Sequence, residues 1–233
     1  MATESRHRSV LLPALILSTL AIIGPGAAAD LSSQPARVLT FIEAGTTAAD
    51  RCKGILRKYQ QALQQGSTPP RVRVLQEVGR PERFAVLASA DRGEELSGVE
   101  EKAAPVLESL GTVLVAPPDR HTNRDFVPAA RAAADSANDI YVIIHIDVGP
   151  PDRAKGEAAL TKLAGDARAS AGNTRFDLWQ QVDRTNHFNI VAAWRSRAKY
   201  DEFVASAGGR EFRLTLAPML ASPYDARLFR PID

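Results

Sequence analysis

RVRVLQEVGRPERF at residues 71–84 and RFDLWQQVDRTNHF at residues 175–188 are two versions of one segment. Arg71, Gln76, Val78, Arg80 and Phe84 recur as Arg175, Gln180, Val182, Arg184 and Phe188, each 104 positions later (175 − 71). Lys53-Gly54 and Lys155-Gly156 extend the echo upstream, and Ala104-Pro105 and Ala217-Pro218 extend it downstream. Self-similarity at domain-sized spacing predicts one small fold written twice.

Each copy contains the same order of elements. In the first, residues 38–42 (VLTFI) form a short β-rich run. Residues 48–65 then place Cys52, Ile55, Leu56, Tyr59 and Leu63 at helical spacing, with Gly66 as the stop. Residues 71–78 and 83–89 read as strands of a hairpin turning at Gly79-Arg80-Pro81-Glu82. A helix over 94–110 and a last strand over 112–116 (TVLVA) complete the unit. In the second copy the strand is 141–148, and Pro150-Pro151-Asp152 opens a helix to about residue 170. Strands at 175–182 and 187–194 follow the turn Ala171-Gly172-Asn173. Ser196 caps a helix through Phe203 that restarts over 210–216, before a final strand at 223–229.

The β-α-β-β-α-β order is the ferredoxin-like motif, four antiparallel strands with both helices on one face. The bare face of such a sheet must be covered. The expected class is therefore α+β: units at 36–126 and 140–233, joined by an Ala-rich linker over 127–139, whose sheets pair as an intramolecular dimeric α+β barrel.

The first 29 residues have the pattern of a secretory signal peptide, with Arg6 and Arg8 before the apolar run 10–23 and Gly26-Ala27-Ala28-Ala29 at the cleavage point. The run is too short for a convincing membrane span, so cleavage is expected to leave no membrane anchor and a periplasmic protein. The remaining 204 residues (233 − 29) carry 27 Lys and Arg against 26 Asp and Glu, a balance that argues against a nucleic-acid partner. Cys52 is the single cysteine, which excludes an internal disulfide and a Cys-based metal site. His7, His121, His145 and His187 are dispersed along the sequence, which argues against a metal cluster.

A resemblance to a known family rests on the second copy. Gly172-Asn173-x-Arg175-Phe176-x-x-x-Gln180-Gln181, then Asn186-His187-Phe188, Trp194 and Ala217-Pro218-Met219-Leu220-x-Ser222-Pro223-Tyr224-Asp225-x-Arg227-Leu228, resemble the antibiotic biosynthesis monooxygenase (ABM) domain, nearest to its quinol monooxygenase branch. The resemblance covers residues 141–229 well and 38–126 weakly, through the repeat. It implies a small dimeric α+β barrel that oxygenates a quinol or polycyclic phenol with O2 and no cofactor. The family's dimeric habit also allows a homodimer of the whole chain. Many members carry a Glu two residues before the Trp of the third strand, where this chain has Ala192, and a His early in the second helix segment, where it has Gly208-Gly209. That glycine pair is expected to mark a break and a flexible cavity lid.

Alternation along residues 141–148 puts Tyr141, Ile143, His145 and Asp147 on one face, toward the cavity, and Val142, Ile144, Ile146 and Val148 toward the helices. A cavity-facing His145 suits a general base for a phenol proton, or a hydrogen bond that supports the barrel. Trp179 and Trp194 are expected to wall the substrate, or to fill core. His187, Asn189 and Gln180 are weaker candidates for orienting a substrate oxygen. The offset matches His145 with Phe41, Trp179 with Leu75, His187 with Arg83 and Trp194 with Ala90, while Asp147 keeps a carboxylate partner in Glu43. The first copy is thus expected to close the barrel, and the second to hold the pocket. The alternative is a non-catalytic exported protein that binds an aromatic or quinone-like ligand; no Asn/Trp/His set can be matched for haem.

Overall fold

A computed structural model of the protein describes residues 33–65, 69–128 and 138–232. The expected signal segment, the expected stop at Gly66 and residues 129–137 of the expected linker lie outside the described residues. The first unit runs β1 (Ala36–Glu43), α1 (Ala49–Leu63), β2 (Arg71–Glu77), β3 (Arg80–Ala90), α2 (Gly93–Glu108) and β4 (Asp119–Asp125). The second runs β5 (Ile140–Asp147), α3 (Arg153–Ala169), β6 (Asn173–Gln181), β7 (His187–Trp194), α4 (Arg197–Ala205), α5 (Ala207–Leu216) and β8 (Asp225–Pro231). Among the described residues, no helix is long and apolar enough to cross a membrane.

All eight strands close into one antiparallel barrel in the order β1-β3-β2-β8-β5-β7-β6-β4. Each unit contributes four consecutive strands of it, and β2–β8 and β4–β6 are the seams where the sheets join. The repeat is kept in register: Ile42 pairs with Phe84 in the first sheet as Ile146 pairs with Phe188 in the second. The hairpin β2–β3 turns through Val78-Gly79, tighter than the expected Gly79–Glu82 turn. Gly79 adopts φ +83° with nothing near its absent side chain, so it is the backbone conformation of the turn that calls for glycine.

Strand alternation sorts the side chains into three cores. Val38, Ile42, Val74, Phe84 and Val86 pack outward against α1 and α2, and Val142, Ile144, Ile146, Phe188 and Ile190 outward against α3 to α5. The opposite faces meet inside the barrel, where Leu39, Leu75, Leu87, Tyr141, Ile143, Trp179, Val191 and Phe229 form a third cluster. Apolar burial on the inner faces holds the two units together as one body. Cys52 is buried under α1, and burial pushes its thiol up to about 11, so it stays an unreactive thiol at neutral pH.

One strand differs from expectation. Residues 112–116 end a short 3-10 helix and turn, contributing an isolated bridge from Leu114 to Ala44. The fourth strand is DRHTNRD, Asp119–Asp125, which has no apolar pattern to announce it. Its outer residues Arg120, Thr122 and Arg124 face solvent, and its inner residues line polar ends of the barrel. Burial therefore never demanded alternating hydrophobicity. The final strand likewise starts later than expected, at Asp225.

Candidate active site

The barrel has two chemically different ends. At one end Arg37 from β1 donates to both carboxylate oxygens of Asp125 at 3.0 and 2.8 Å, and Arg175 donates to Asp177 at 2.7 Å. These pairs plug that end. The other end opens into a cavity of about 920 Å³, bordered by Phe41, His121, Ile143, His145, Gln181, His187, Tyr224 and Arg227. It is large enough for a polycyclic ring system, and its lining is mixed, with Phe41, Ile143 and Tyr224 set among histidines and the charged groups of Asp119, Arg120, Asp225 and Arg227.

Three histidines meet there. The His121 and His145 rings lie 5.7 Å apart between centroids, and His145 and His187 lie 5.3 Å apart. His145 sits on β5 and His187 on β7, cross-strand partners through Asn189 and Asp147. His121 comes from β4 of the first unit.

A hydrogen-bond chain assigns the protons. Asn123 Nδ2 donates to the His121 carbonyl at 2.9 Å, so its Oδ1 accepts from Asn189 Nδ2 at 2.8 Å. Asn189 Oδ1 then accepts from His145 Nδ1–H at 3.1 Å. His145 Nε2 is left with its lone pair, 3.3 Å from His187 Nδ1. His187 Nδ1 is therefore the donor of that hydrogen bond, and on the far side His187 Nε2 lies 3.4 Å from Asp147 Oδ1. Asp147 is itself held by Asn186 Nδ2 at 2.9 Å. Burial pushes the His187 pKa below its ordinary value of 6.5, while the Asp147 carboxylate pulls it back up more weakly. That shift favours the neutral form of His187.

His121 is oriented from two sides. Gln181 Nε2 donates to its Nδ1 at 2.8 Å, so Nε2–H points to Asp119 Oδ1 at 2.9 Å. The rest of the mouth is cationic and aromatic, with the Arg227 guanidinium 5.2 Å above the Phe41 ring.

His145, His187, Asp147 and Asn189 are therefore brought together, as Tyr141, Trp179 and Trp194 are not. Tyr141 and Trp179 are sealed in the barrel core at 0% exposure, below the cavity. Trp194 faces the helices, where its ring stacks on Phe203 at 5.0 Å and meets Tyr200 at 6.1 Å. The expected convergence of His145 with both tryptophans does not occur, because β6 and β7 are adjacent and Trp179 and Trp194 fall on opposite parities of the sheet. The void beside Trp194 measures only about 20 Å³, too small for an aromatic ring. Gln180 also faces away from the cavity, accepting from Arg124 and donating to the Thr185 carbonyl. Gly208-Gly209 lies in the first turn of α5, with Gly209 packed against the carbonyls of α4; it is no lid over the mouth, and the break falls at Ser206. His121 and Gln181 escaped the sequence reading. The period-two set His121, Asn123, Asp125 in a polar stretch was the available signal.

Residues 139–213 match the family model of the antibiotic biosynthesis monooxygenases. Among solved structures the chain is similar to a candidate monooxygenase from Fusobacterium nucleatum, at 8% identity and TM-score 0.76, over 86% of this chain and 94% of that one. It is also similar to a candidate monooxygenase from Lactobacillus acidophilus, at 13% identity and TM-score 0.66, over 85% and 94%. An anthrone oxidase-like protein follows at 12% identity and TM-score 0.64, over 86% and 92%. Such identities establish a shared fold of two paired units and nothing finer. No curated protein matches the sequence.

Proposed function

We propose that the mouth cavity is the active site of an ABM-type monooxygenase that oxidises a quinol or polycyclic phenol with O2 and without a cofactor. The observation that carries this reading is the His145–His187 hydrogen bond, 3.3 Å between ring nitrogens with Asp147 beside it to hold an acquired proton, opening on a large cavity bordered by Phe41 and Tyr224. A phenol hydroxyl entering the cavity supplies that proton, and Asp147 stabilises the charge the pair acquires. The phenolate, electron-rich and desolvated against Phe41, Ile143 and Tyr224, passes one electron to O2. The aryl radical and superoxide recombine to a peroxide. Loss of water from the peroxide leaves a carbonyl: the substrate gives up two hydrogens and gains one oxygen, and the second oxygen leaves as water.

Oxygen uptake by the purified chain, with hydroquinones and anthrones as substrates, tests the proposal. His145→Ala is expected to slow uptake about a hundredfold or more, the usual contribution of a positioned base. Absence of uptake across the panel, with tight binding of the same compounds, would instead favour a non-catalytic aromatic-binding protein. We also propose export to the periplasm on the strength of residues 1–29; loss of export of a phosphatase fusion on Ile16→Arg would support it, and cytoplasmic retention of the unaltered fusion would refute it.

A further inference from the structure

We propose that His121, contributed by the first unit, is the acid of the same site: it delivers the proton that lets the second oxygen atom depart as water. The inference rests on the oxygenase reading of the mouth cavity and divides its proton chemistry between the two halves of the chain.

The reaction as proposed needs a base at its start and an acid at its end. The His145–His187 pair suits the first task, since the two rings are hydrogen-bonded and Asp147 lies beside them to stabilise an acquired proton. It is poorly placed for the second, because the proton it gains is shared between the two rings and stabilised by Asp147. His121 has the complementary arrangement. Its Nδ1 accepts from Gln181, which fixes the hydrogen on Nε2, and that N–H rests against Asp119 at 2.9 Å. The Asp119 side chain is 70% exposed, so a peroxide oxygen entering the cavity displaces a solvated carboxylate rather than a buried one. The His121 ring stands 5.7 Å from that of His145 and 6.0 Å from that of Phe41, on the side of the cavity facing the base pair. Acceptor and donor thus border the same cavity, with Phe41 and Tyr224 on its wall.

The step balances. The carbon-bound peroxide carries C–O–O⁻; a first proton makes it a hydroperoxide. Loss of the ring C–H proton to solvent water at the open mouth forms the C=O bond as the O–O bond breaks, and the departing hydroxide takes a proton from His121 to leave as water. His121 then recovers a proton from solvent through Asp119. Without that donor, the peroxide anion reverts or departs as hydrogen peroxide, and oxygen uptake separates from product formation.

The experiment compares hydrogen peroxide released and quinone formed per O2 consumed, in the whole protein, for the unaltered chain, His121→Gln, Asp119→Asn and His145→Ala. The unaltered chain is expected to form about one quinone per O2 with little peroxide. His121→Gln should keep measurable uptake but release peroxide for more than half of the O2 consumed, and imidazole added to His121→Ala should restore coupling. His145→Ala should lower uptake itself without changing the partition. Coupled turnover by His121→Gln within twofold of the unaltered chain overturns the proposal. So does a loss of uptake in His121→Gln equal to that in His145→Ala with no peroxide, since it assigns His121 to the first step. Absence of any uptake by the unaltered chain sinks the oxygenase reading and this inference with it.

Discussion

The mouth of the barrel is built twice, and its two lobes answer each other position by position. In one, His145 and Asp147 on β5 face His187 and Asn189 on β7; in the other, the same register holds Phe41 and Glu43 on β1 and Arg83 and Ala85 on β3. Arg83 donates to Glu43 at 3.2 Å where His187 meets Asp147 at 3.4 Å. Arg227 and Asp225 on β8 stand where β4 places His121 and Asp119. The scaffold of charge is the same in both lobes, an acidic group beside a basic one at each equivalent point. The cations differ in kind. A guanidinium keeps its charge at any working pH and can only bind, whereas an imidazole gains and loses its proton near neutrality. Duplication supplied the frame, and divergence placed the imidazoles on one side of it and the guanidiniums on the other.

The helix–sheet layers diverge in the opposite sense. Trp194, Phe203 and Phe212 reduce the void in the second unit to about 20 Å³. In the first unit Ala90 stands in place of Trp194, and the equivalent space beside Val38, Thr40 and Ala88 is a cavity of about 260 Å³. The Glu100–Arg120 pair, with contacts of 3.0 and 2.9 Å, stands at its polar side. Burial pushes the nearby Tyr59 hydroxyl up to about 12.

These contrasts can be broken or sharpened by substitution. Trp179→Ala is expected to cost about 3–5 kcal/mol, because it empties the centre of the barrel core that both units share. Its counterpart Leu75→Ala should cost less, and urea denaturation measures both. If Trp179→Ala unfolded only the second unit in a separate transition, the two halves would not be one cooperative body. Asp147→Asn should move the acid limb of the activity profile to lower pH, since it removes the anion that raises the His187 pKa. The sign for stability follows from the same shift. Folded His187 resists protonation that the unfolded chain accepts, so the His187 contribution is intact above pH 6.5 and is lost as pH falls below it. A rise in stability on acidification through that range would contradict the burial argument. Ala88→Leu, which fills part of the first unit's cavity, should stabilise by about 1 kcal/mol, seen as a higher thermal midpoint; a clear fall would mean the space is not available to a side chain. Arg83→Ala should cost less than about 1 kcal/mol, because Arg83 and Glu43 remain 28% and 43% exposed and water screens the pair. A larger loss would make the arginine lobe a structural lock instead.

Much of this arrangement is legible in residues 71–84 and 175–188. The repeat predicts two units, and the bare sheet faces predict their pairing, because exposed apolar strands must be buried somewhere. Alternation along residues 141–148 places His145 and Asp147 on the cavity side, and it does so correctly because parity is a property of the strand itself. Offset by 104, it also pairs His145 with Phe41 and His187 with Arg83, as the registers bear out. The tryptophans misled for a physical reason. Trp179 and Trp194 lie on neighbouring strands of one hairpin, but cross-strand register puts Asn173 opposite Trp194 and Asn189 opposite Trp179, which separates the two rings along the sheet and sends them to opposite faces.

The sequence by itself determined the duplication, the α+β class, the facing of each strand and the asymmetry between the copies. All of these follow from local periodicity and from comparing one half with the other. Only the tertiary structure decided where the chemistry gathers. His121 lies on a strand with no hydrophobic pattern, and it reaches His145 because the seam between β4 and β6 closes the barrel. Convergence of that kind depends on long-range register, and no local signal in DRHTNRD carries it.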